Sequence, residues 1–309
     1  MNTLVVSSAR ISRWDPRVAL SFGAIYLFWG GTFLAIRVAV LQIPPCFTAG
    51  VRFLVAGSIL YAVMRLRGQP RPSRLEWRNL ALVSFCMFVA TYGPLFWAER
   101  YVSSSMTAII EATLPLTAII LEVFIFRTQA LQWRVLVGVI TGFAGVALLM
   151  FHNDRQQLAR LPSLAILAAG VAWSLGAVLS GRLKLHPSRV LTAGAEMMIA
   201  GVVLLAWSAV SGELIPLPHM TLSAALALLY LIVFGSLIAF TCYVWLLARF
   251  SVTRVSSHAY INPVIALALG YFAAGEIVTM RSVVASVLVV GSVLLILARD
   301  RGIDMRPDE

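Results

Sequence analysis

The sequence predicts an all-α membrane protein in which ten transmembrane helices form two inverted five-helix repeats, with the N and C termini cytoplasmic. Three observations support this fold class: the composition, a hydrophobic pattern that occurs twice, and the placement of arginines in alternate loops. Hydrophobic residues make up 60% of the chain and charged residues 12%, and the mean hydropathy is +0.90. These values lie far outside the range of soluble proteins.

The hydrophobic segments have the length that a bilayer requires, since a core about 30 Å thick is crossed by roughly 20 apolar residues. The first segment is too long for a cleavable signal peptide and is expected to remain as the first span. The predicted spans are residues 18–41, 46–64, 80–98, 103–126, 132–151, 163–182, 190–211, 222–246, 251–274 and 281–298.

The repeat is visible as an internal alignment. Shifting residues 97–148 by 148 positions aligns Pro115 with Pro263, and an offset of 144 aligns Trp29 with Trp173. Because each copy has an odd number of spans, the second copy is expected to cross the membrane in the opposite sense. The predicted parts are a first repeat at 18–151, an external connector at 152–162, a second repeat at 163–298 and a cytoplasmic tail at 299–309.

The net charge of +11 is best explained by orientation in a membrane. With a cytoplasmic N-terminus, the inner loops hold most of the Arg and Lys residues, which is the bias that sets topology. The outer loops hold only Arg100, Arg155, Arg160 and Arg281. We therefore expect a lipid bilayer and a small-molecule substrate as partners, and no nucleic acid.

Several function classes lack their sequence signals. Cys46, Cys86 and Cys242 have no CxxC or His-rich companion, so we expect buried thiols, and no metal or cofactor. The chain has no ATP-binding loop. An enzyme would need clustered catalytic groups and a sensor would need a soluble domain, so both are disfavoured.

Small residues indicate where helices pack closely in lipid. Gly138, Gly142 and Gly145 fall on or near one face of span five, and Ser286 and Gly291 lie on span ten. We expect these two spans to pack against each other within a monomer, with self-association of two chains as the alternative.

Four motifs resemble the EamA family of the drug/metabolite transporter superfamily: Trp-Gly-Gly-Thr-Phe at 29–33, Ala-Gly-Val-Arg-Phe at 49–53, Ala-Tyr-Ile-Asn-Pro at 259–263, and Gly275-Glu276. The resemblance covers essentially the whole chain. It departs from the family at Arg127-Thr128, where the first repeat would usually carry the Gly-Glu pair. It implies a central cavity lined mainly by spans 1, 3, 4, 6, 8 and 9. It also implies export of amino acids or other small metabolites through a multi-pass protein of the bacterial inner membrane.

Glu111 is the principal polar candidate, because a charge inside a membrane costs a few kcal/mol. It lies on the polar face of span four, far from either interface. It could carry protons or bind a substrate ammonium group. The alternative is a structural carboxylate that is paired or protonated.

Span nine carries further polar residues, of which His258 and Asn262 are candidates for the substrate site. A structural, hydrogen-bonded role for His258 is the alternative. Arg37 and Arg52 lie near the predicted outer ends of their spans. They could attract a carboxylate, but interface anchoring and helix pairing are favoured, because both side chains can extend to water.

Three prolines and six aromatic residues complete the candidate site. Prolines within a span kink the helix and leave a carbonyl group without its donor, so Pro94, Pro115 and Pro263 are predicted hinges. Aromatic walls suit an apolar substrate or an ammonium group, with core packing as the alternative. The aromatic candidates are Tyr26, Trp29, Tyr92, Trp173, Tyr243 and Tyr260.

The leading hypothesis is therefore a secondary transporter that exports amino acids or similar metabolites by alternating access. Protons entering through Glu111, or the substrate gradient alone, would drive it. A multidrug or cationic-compound exporter is the alternative. A membrane-embedded sensor or enzyme is the disfavoured alternative from another class.

Overall fold

The structure is a computed structural model and describes residues 15–127, 133–150, 157–213, 220–247, 249–250, 255 and 257–297. These residues are helical and contain no strand. Seven helices in this part of the chain are long and apolar enough to cross a membrane, and three shorter apolar helices accompany them. The predicted tail 299–309 and residues 152–156 of the predicted connector lie outside the described residues.

The seven long and three shorter apolar helices of the described residues are numbered in chain order. They are α1 (Pro16–Val40), α2 (Pro45–Leu66), α3 (Arg74–Ala98), α4 (Ser104–Ile125), α5 (Trp133–Met150), α6 (Gln157–Ser180), α7 (Arg189–Val210), α8 (Leu222–Leu247), α9 (His258–Ala274) and α10 (Met280–Leu297).

Two helices begin earlier than the hydrophobic pattern predicts, because hydropathy marks the bilayer and not the helix. α3 starts at Arg74, in the polar segment before the predicted span 80–98, where Ser73 and Glu76 form a capping box. The Ser73 amide donates to Glu76 Oε2 at 2.7 Å, and the Glu76 amide donates to Ser73 Oγ at 3.3 Å. α6 starts at Gln157, so part of the predicted connector 152–162 is helical.

Large apolar side chains cover the outside of the bundle, which a water-soluble protein would avoid. They come from both halves of the chain, and their exposure fits contact with lipid. Examples are Leu20, Leu27, Val202, Trp207, Val210, Phe272 and Val287.

α2 and α7 cross with their backbones in contact. A Cβ atom on Gly57 would lie 2.4 Å from the backbone nitrogen of Met198, and one on Gly201 would lie 2.4 Å from that of Leu54. Gly57 and Gly201 are equivalent positions at the offset of 144. Because helices in lipid associate by close packing, this crossing is a main contact between the two halves.

α5 packs against α10 through two of the glycines selected from the sequence. A Cβ atom on Gly142 would lie 2.7 Å from Ser292 Oγ, and one on Gly145 would lie 3.0 Å from Leu288 Cβ. Gly138, on the same helix, is also buried.

The α10 side of this contact differs from the prediction. Gly291 is exposed, and a Cβ atom there would have no neighbour within 4 Å, so Gly291 does not pack against α5. Ser286 is half-buried, and its hydroxyl donates to the Ser282 carbonyl of its own helix at 2.8 Å. The face of α10 that meets Gly142 carries Ser292, one residue further along the helix.

α3 and α8 each contain a stretch of π-helix at corresponding positions, Phe85–Val89 and Leu231–Ile238. A π-helical turn shifts the side chains that follow it, and such turns are frequent at functional sites. In α8 the turn carries Gly235 and Ser236, which contact α1 and α2 as described below.

α4 is discontinuous. Its first part ends at Glu111, and its second part begins at Leu114, directly before Pro115. Pro115 has no N–H to donate to the Glu111 carbonyl, so the regular ladder cannot continue through this point. The break that the sequence predicts at Pro115 thus places Glu111 at the end of a half-helix.

Candidate functional site

Nine rings from six helices form a continuous set of contacts inside the bundle, which we call the ring network. Its members are Trp29 from α1, Phe53 from α2, Phe88, Tyr92 and Phe96 from α3, Trp173 from α6, Phe240 and Tyr243 from α8, and His258 from α9.

Trp29 is the centre of one end of the network. Its ring centroid lies 5.1 Å from that of Tyr243 and 4.8 Å from that of His258. Trp29 Nε1 donates to the Gly235 carbonyl at 3.0 Å, so the π-helical turn of α8 fixes the indole. His258 Nδ1 is buried without a hydrogen-bond partner.

Tyr92 is the centre of the other end. Its ring lies 4.7 Å from Phe53 and 6.0 Å from Trp173. Phe88 and Phe240 join the two ends, with ring centroids 6.4 Å apart. Four of the aromatic residues selected from the sequence, Trp29, Tyr92, Trp173 and Tyr243, are therefore brought together.

The other two aromatic candidates lie elsewhere. The Tyr26 hydroxyl is 2.6 Å from Ser257 Oγ, beside the network on the α1–α9 side. Tyr260 packs against the cluster around Leu116 and Val293. Neither is among the nine rings of the network, so their roles in a substrate site have less structural support.

Asn262 ties α9 to α1. It is buried, and with its amide nitrogen facing α1 it donates to the Tyr26 carbonyl at 3.3 Å and to the His258 carbonyl at 3.1 Å. Pro263 follows inside α9, and Pro94 lies inside α3. These contacts suit a structural role for Asn262 as well as a site role.

Glu111 is partly accessible, but its Oε1 atom is buried without a hydrogen-bond partner. That oxygen faces α6, since a Cβ atom on Gly170 would lie 3.9 Å from it. No ion pair to Glu111 is formed by the residues that the structure describes. A carboxylate with an open oxygen between helices is suited to taking up a proton or a cation.

Arg52 differs from its sequence interpretation. We expected it to extend to the membrane interface, but it is only 3% exposed, and its Nε donates to Ser236 Oγ at 2.9 Å. The anchoring part of the prediction was wrong, because it was based on the position of Arg52 along its helix, whereas the bond to Ser236 agrees with the helix pairing that was also expected. Depth in the bundle is decided by α8, whose π-helical turn covers the guanidinium.

Glu276 clamps the start of α4 to the end of α9. Its Oε1 accepts from the Ser104 amide at 2.9 Å and from Ser104 Oγ at 2.7 Å, and its Oε2 accepts from the Ser105 amide at 3.1 Å and from Ser105 Oγ. A Cβ atom on Gly270 would lie 2.5 Å from Glu276 Oε2, so glycine leaves room for the carboxylate. The negative charge also lies at a helix N-terminus, which favours it.

The Gly-Glu motif thus has a physical explanation. Gly275 ends α9 with φ +64°, a left-handed conformation that favours glycine, and this turn directs Glu276 towards α4. In the first repeat Arg127 keeps the same conformation, with φ +52°, without the glycine. A left-handed residue other than glycine costs about 1–2 kcal/mol, so Arg127 adopts this φ under strain.

Two further charged residues accompany the clamp. Arg37 Nε lies 3.9 Å from Glu276 Oε1, and Arg37 Nη1 donates to the Val102 carbonyl at 2.6 Å. Arg37 therefore binds protein groups and has little freedom to act as a surface anchor. Glu99 is fully buried, and neither of its carboxyl oxygens has a hydrogen-bond partner. Burial raises the pKa of Glu99 well above its ordinary value, although Arg37 opposes the shift.

Replacing Glu276 by Gln is expected to lower the free energy of unfolding by about 1.5–3 kcal/mol at neutral pH, the usual contribution of hydrogen bonds to a charged group. Burial acts to raise the pKa of Glu276, but the hydrogen bonds from Ser105 and Ser104 outweigh it and hold that pKa below the ordinary 4.5. The stabilisation is therefore present above pH 4.5 and is lost as the pH falls through the lowered pKa.

Thermal unfolding of purified wild type and variant, at several pH values, measures this difference. Glu213→Gln is the matched control, because Glu213 accepts from the Cys46 and Phe47 amides at the longer distances of 3.4 and 3.1 Å and should contribute less. A difference between wild type and Glu276→Gln that does not change between neutral and acidic pH would contradict the clamp.

Sequence reasoning missed several of these residues, each for an identifiable reason. Phe88 precedes Tyr92 by one helical turn, a spacing that could have selected it. Glu276, Ser104 and Ser105 are joined over more than 170 positions, and no local signal indicates such a contact. Glu99 is followed by Arg100, and two adjacent charged residues between apolar spans are normally interpreted as part of a solvent-exposed loop.

The fold and the site are typical of membrane transporters. They combine a polytopic helical bundle, an internal aromatic cluster, a broken helix and acids without an ion-pair partner among the described residues. The model of the EamA-like transporter family matches residues 18–151 and again residues 160–298. The chain therefore belongs to the EamA-like transporter family, as its motifs predicted.

Individual relatives agree with this assignment. The chain is 36% identical over 278 residues to the uncharacterized inner membrane transporter YedA of Escherichia coli (strain K12), covering 88% of each protein. The chain is thus similar to YedA over most of its length. Protein PagO of Salmonella typhimurium is 27% identical, covering 94% of this chain and 96% of PagO. A crystal structure with 19% identity covers 94% of this chain at a TM-score of 0.63, which shows the shared fold.

Proposed function

We propose that the chain is a secondary transporter that exports amino acids or similar small metabolites across the inner membrane of a bacterium by alternating access. The observation that supports this most is the ring network, because it joins helices of both halves through apolar and aromatic side chains. A site between two repeats is what the alternating-access mechanism requires.

We further propose that all ten helices cross the membrane, that the two repeats are inverted, and that both termini are cytoplasmic. Seven long and three shorter apolar helices support this arrangement, as do the two family matches and the arginine bias. In a cysteine-free background, an impermeant thiol reagent should label a cysteine at 152–156 from outside. A cysteine at 67–71 should be labelled from the cytoplasm alone, and the reverse pattern would contradict this topology.

The hydrogen bonds from Ser104 and Ser105 to Glu276, which we call the clamp, indicate how access to the site is opened and closed. In the proposed topology Ser104 and Glu276 lie at the external face, so the clamp closes that side of the bundle. Opening outwards requires that α4 and α9 separate there, and the break in α4 before Pro115 lets its two halves move independently.

Protons entering at Glu111 are the proposed driving force, with the substrate gradient alone as the alternative. An ionised carboxylate without a partner is costly between helices, whereas a protonated one is not. Glu111 has this open oxygen and some accessibility, and it lies at the helix break. Glu111 can therefore lose its proton when water enters the site and take up a proton when water is excluded.

A multidrug or cationic-compound exporter is the second candidate. Aromatic rings and an unpaired acid also suit an organic cation, which cation–π contacts and Glu111 would hold. Purified protein in proteoliposomes separates the two. We expect saturable counterflow of labelled amino acids with apolar or aromatic side chains, whereas exchange of cationic dyes without exchange of amino acids would favour the second candidate.

A further inference from the structure

Arg52 is a buried basic residue, and no acidic residue in the described part of the chain forms an ion pair with it. Its side chain is 3% exposed and lies between α2, α3 and α8. A cation in such a place is costly and normally has an acidic partner or a function. The following argument rests on the proposed transport function.

The surroundings of Arg52 orient the guanidinium without neutralising it. Nε donates to Ser236 Oγ, and the guanidinium carbon lies 4.9 Å from the Phe53 ring centroid and 5.3 Å from that of Tyr92. A Cβ atom on Gly235 would lie 3.2 Å from Nη2, so the α8 turn leaves room for the group. Nη1 is buried and has no acceptor.

The neighbouring acids do not supply the missing partner. Among the residues that the structure describes, no carboxylate forms an ion pair with Arg52, and Glu276 is paired with Arg37. Glu99 interacts electrostatically with Arg52, but burial raises the pKa of Glu99 well above its ordinary value, which favours its neutral form. Glu276 is engaged by Ser104 and Ser105.

A planar cation with an open donor beside aromatic rings has a specific ligand chemistry. Guanidinium groups bind carboxylates through charge-assisted hydrogen bonds, and the adjoining Phe53 and Tyr92 belong to the ring network. We propose that Arg52 binds the substrate carboxylate, so that the transported compounds are carboxylates with an apolar or aromatic body.

This assignment also predicts the orientation in which an amino acid binds. The guanidinium carbon of Arg52 lies 5.3 Å from the centroid of the Tyr92 ring, and Tyr92 is the centre of one end of the ring network. A zwitterion would direct its carboxylate to Arg52, whose Nη1 has no acceptor among the described residues. Its side chain would contact the ring network.

The test compares three compounds in the same proteoliposomes: phenylalanine, 3-phenylpropionate, which lacks the amine, and phenethylamine, which lacks the carboxylate. In Arg52→Gln we expect counterflow of the two carboxylates to fall about 10- to 100-fold relative to phenethylamine, the effect of losing hydrogen bonds to a charged group. Arg52→Lys, which keeps the charge, should retain an intermediate ratio. Because each ratio is measured within one preparation, the amount of folded protein cancels.

Arg249→Gln is the matched control, since Arg249 also lies over an aromatic ring, 3.9 Å from the Trp245 centroid, but is exposed. It should leave the ratios unchanged. Equal loss of all three compounds in Arg52→Gln, or no change, would overturn the assignment and leave Arg52 a structural residue.

A failure of the transport function itself gives a different result. If wild type exchanges none of the three compounds, the proposed function is wrong, and ligand-induced stabilisation of the purified protein then decides the role of Arg52. 3-Phenylpropionate should raise the unfolding temperature of wild type but not of Arg52→Gln. No shift in wild type, or the same shift in both proteins, would overturn the inference.

Discussion

Replacing Glu111 by Gln is expected to abolish accumulation of substrate driven by a pH gradient while leaving substrate counterflow in place. Gln keeps the shape of the side chain at the helix break but cannot exchange a proton. Coupling should therefore be lost even though the ring network and the clamp are intact. We expect a decrease of at least about tenfold in accumulation, since a coupled transporter without its proton site only equilibrates its substrate.

The measurement is uptake into proteoliposomes with and without an imposed pH gradient. Glu122→Gln is the control, because Glu122 is the second acid of α4 and lies near its other end, in the stretch Leu121–Ile125. Full accumulation by Glu111→Gln would show that Glu111 carries no coupling proton. Loss of counterflow together with accumulation would instead assign it to binding the substrate ammonium.

Replacing Gly57 by Ala is expected to prevent normal packing of α2 on α7. The added Cβ atom would lie 2.4 Å from the Met198 nitrogen and 2.7 Å from the Gly194 carbonyl oxygen. Both are backbone atoms of α7 and cannot rotate away, so the two helices must separate. We expect a loss of about 3 kcal/mol or more in the free energy of unfolding, at the upper end for overpacked sites.

Gly291→Ala makes the same chemical change in a helix where a Cβ atom has no neighbour within 4 Å. It should stabilise the protein by up to about 1 kcal/mol through helix propensity alone. Thermal unfolding and the yield of monodisperse protein compare the two variants. Similar stability of Gly57→Ala and wild type would show that the α2–α7 contact is looser than described.

Patterns along single helices were sufficient for much of this account. The family and the helical fold followed from hydropathy, from the repeat and from motifs such as residues 29–33. The break at Pro115 followed from proline chemistry. Hydropathy misplaced the start of α3, because Ser73 and Glu76 cap the helix in a segment that is polar.

Contacts between helices that are distant in the chain could not be predicted from sequence patterns. The burial of Arg52 depends on the π-helical turn of α8, which presents Ser236 to it, and hydropathy does not indicate a π-helical turn. The contact face of α10 was displaced by one residue, from Gly291 to Ser292, because small residues alone do not fix helix rotation. The joining of Trp29 to Trp173 through Phe240 and Phe88 likewise needed the tertiary structure.

The central claim is that the ring network binds the transported substrate, and counterflow of labelled phenylalanine in Trp173→Ala tests it most directly. Trp173 contacts both Phe88 and Tyr92, whereas Trp207 on α7 is 64% exposed and serves as the matched control. The account predicts saturable exchange in wild type and in Trp207→Ala, and at least a tenfold higher half-saturation concentration in Trp173→Ala, about 1.4 kcal/mol of lost binding. Unchanged exchange by a folded Trp173→Ala protein would contradict it.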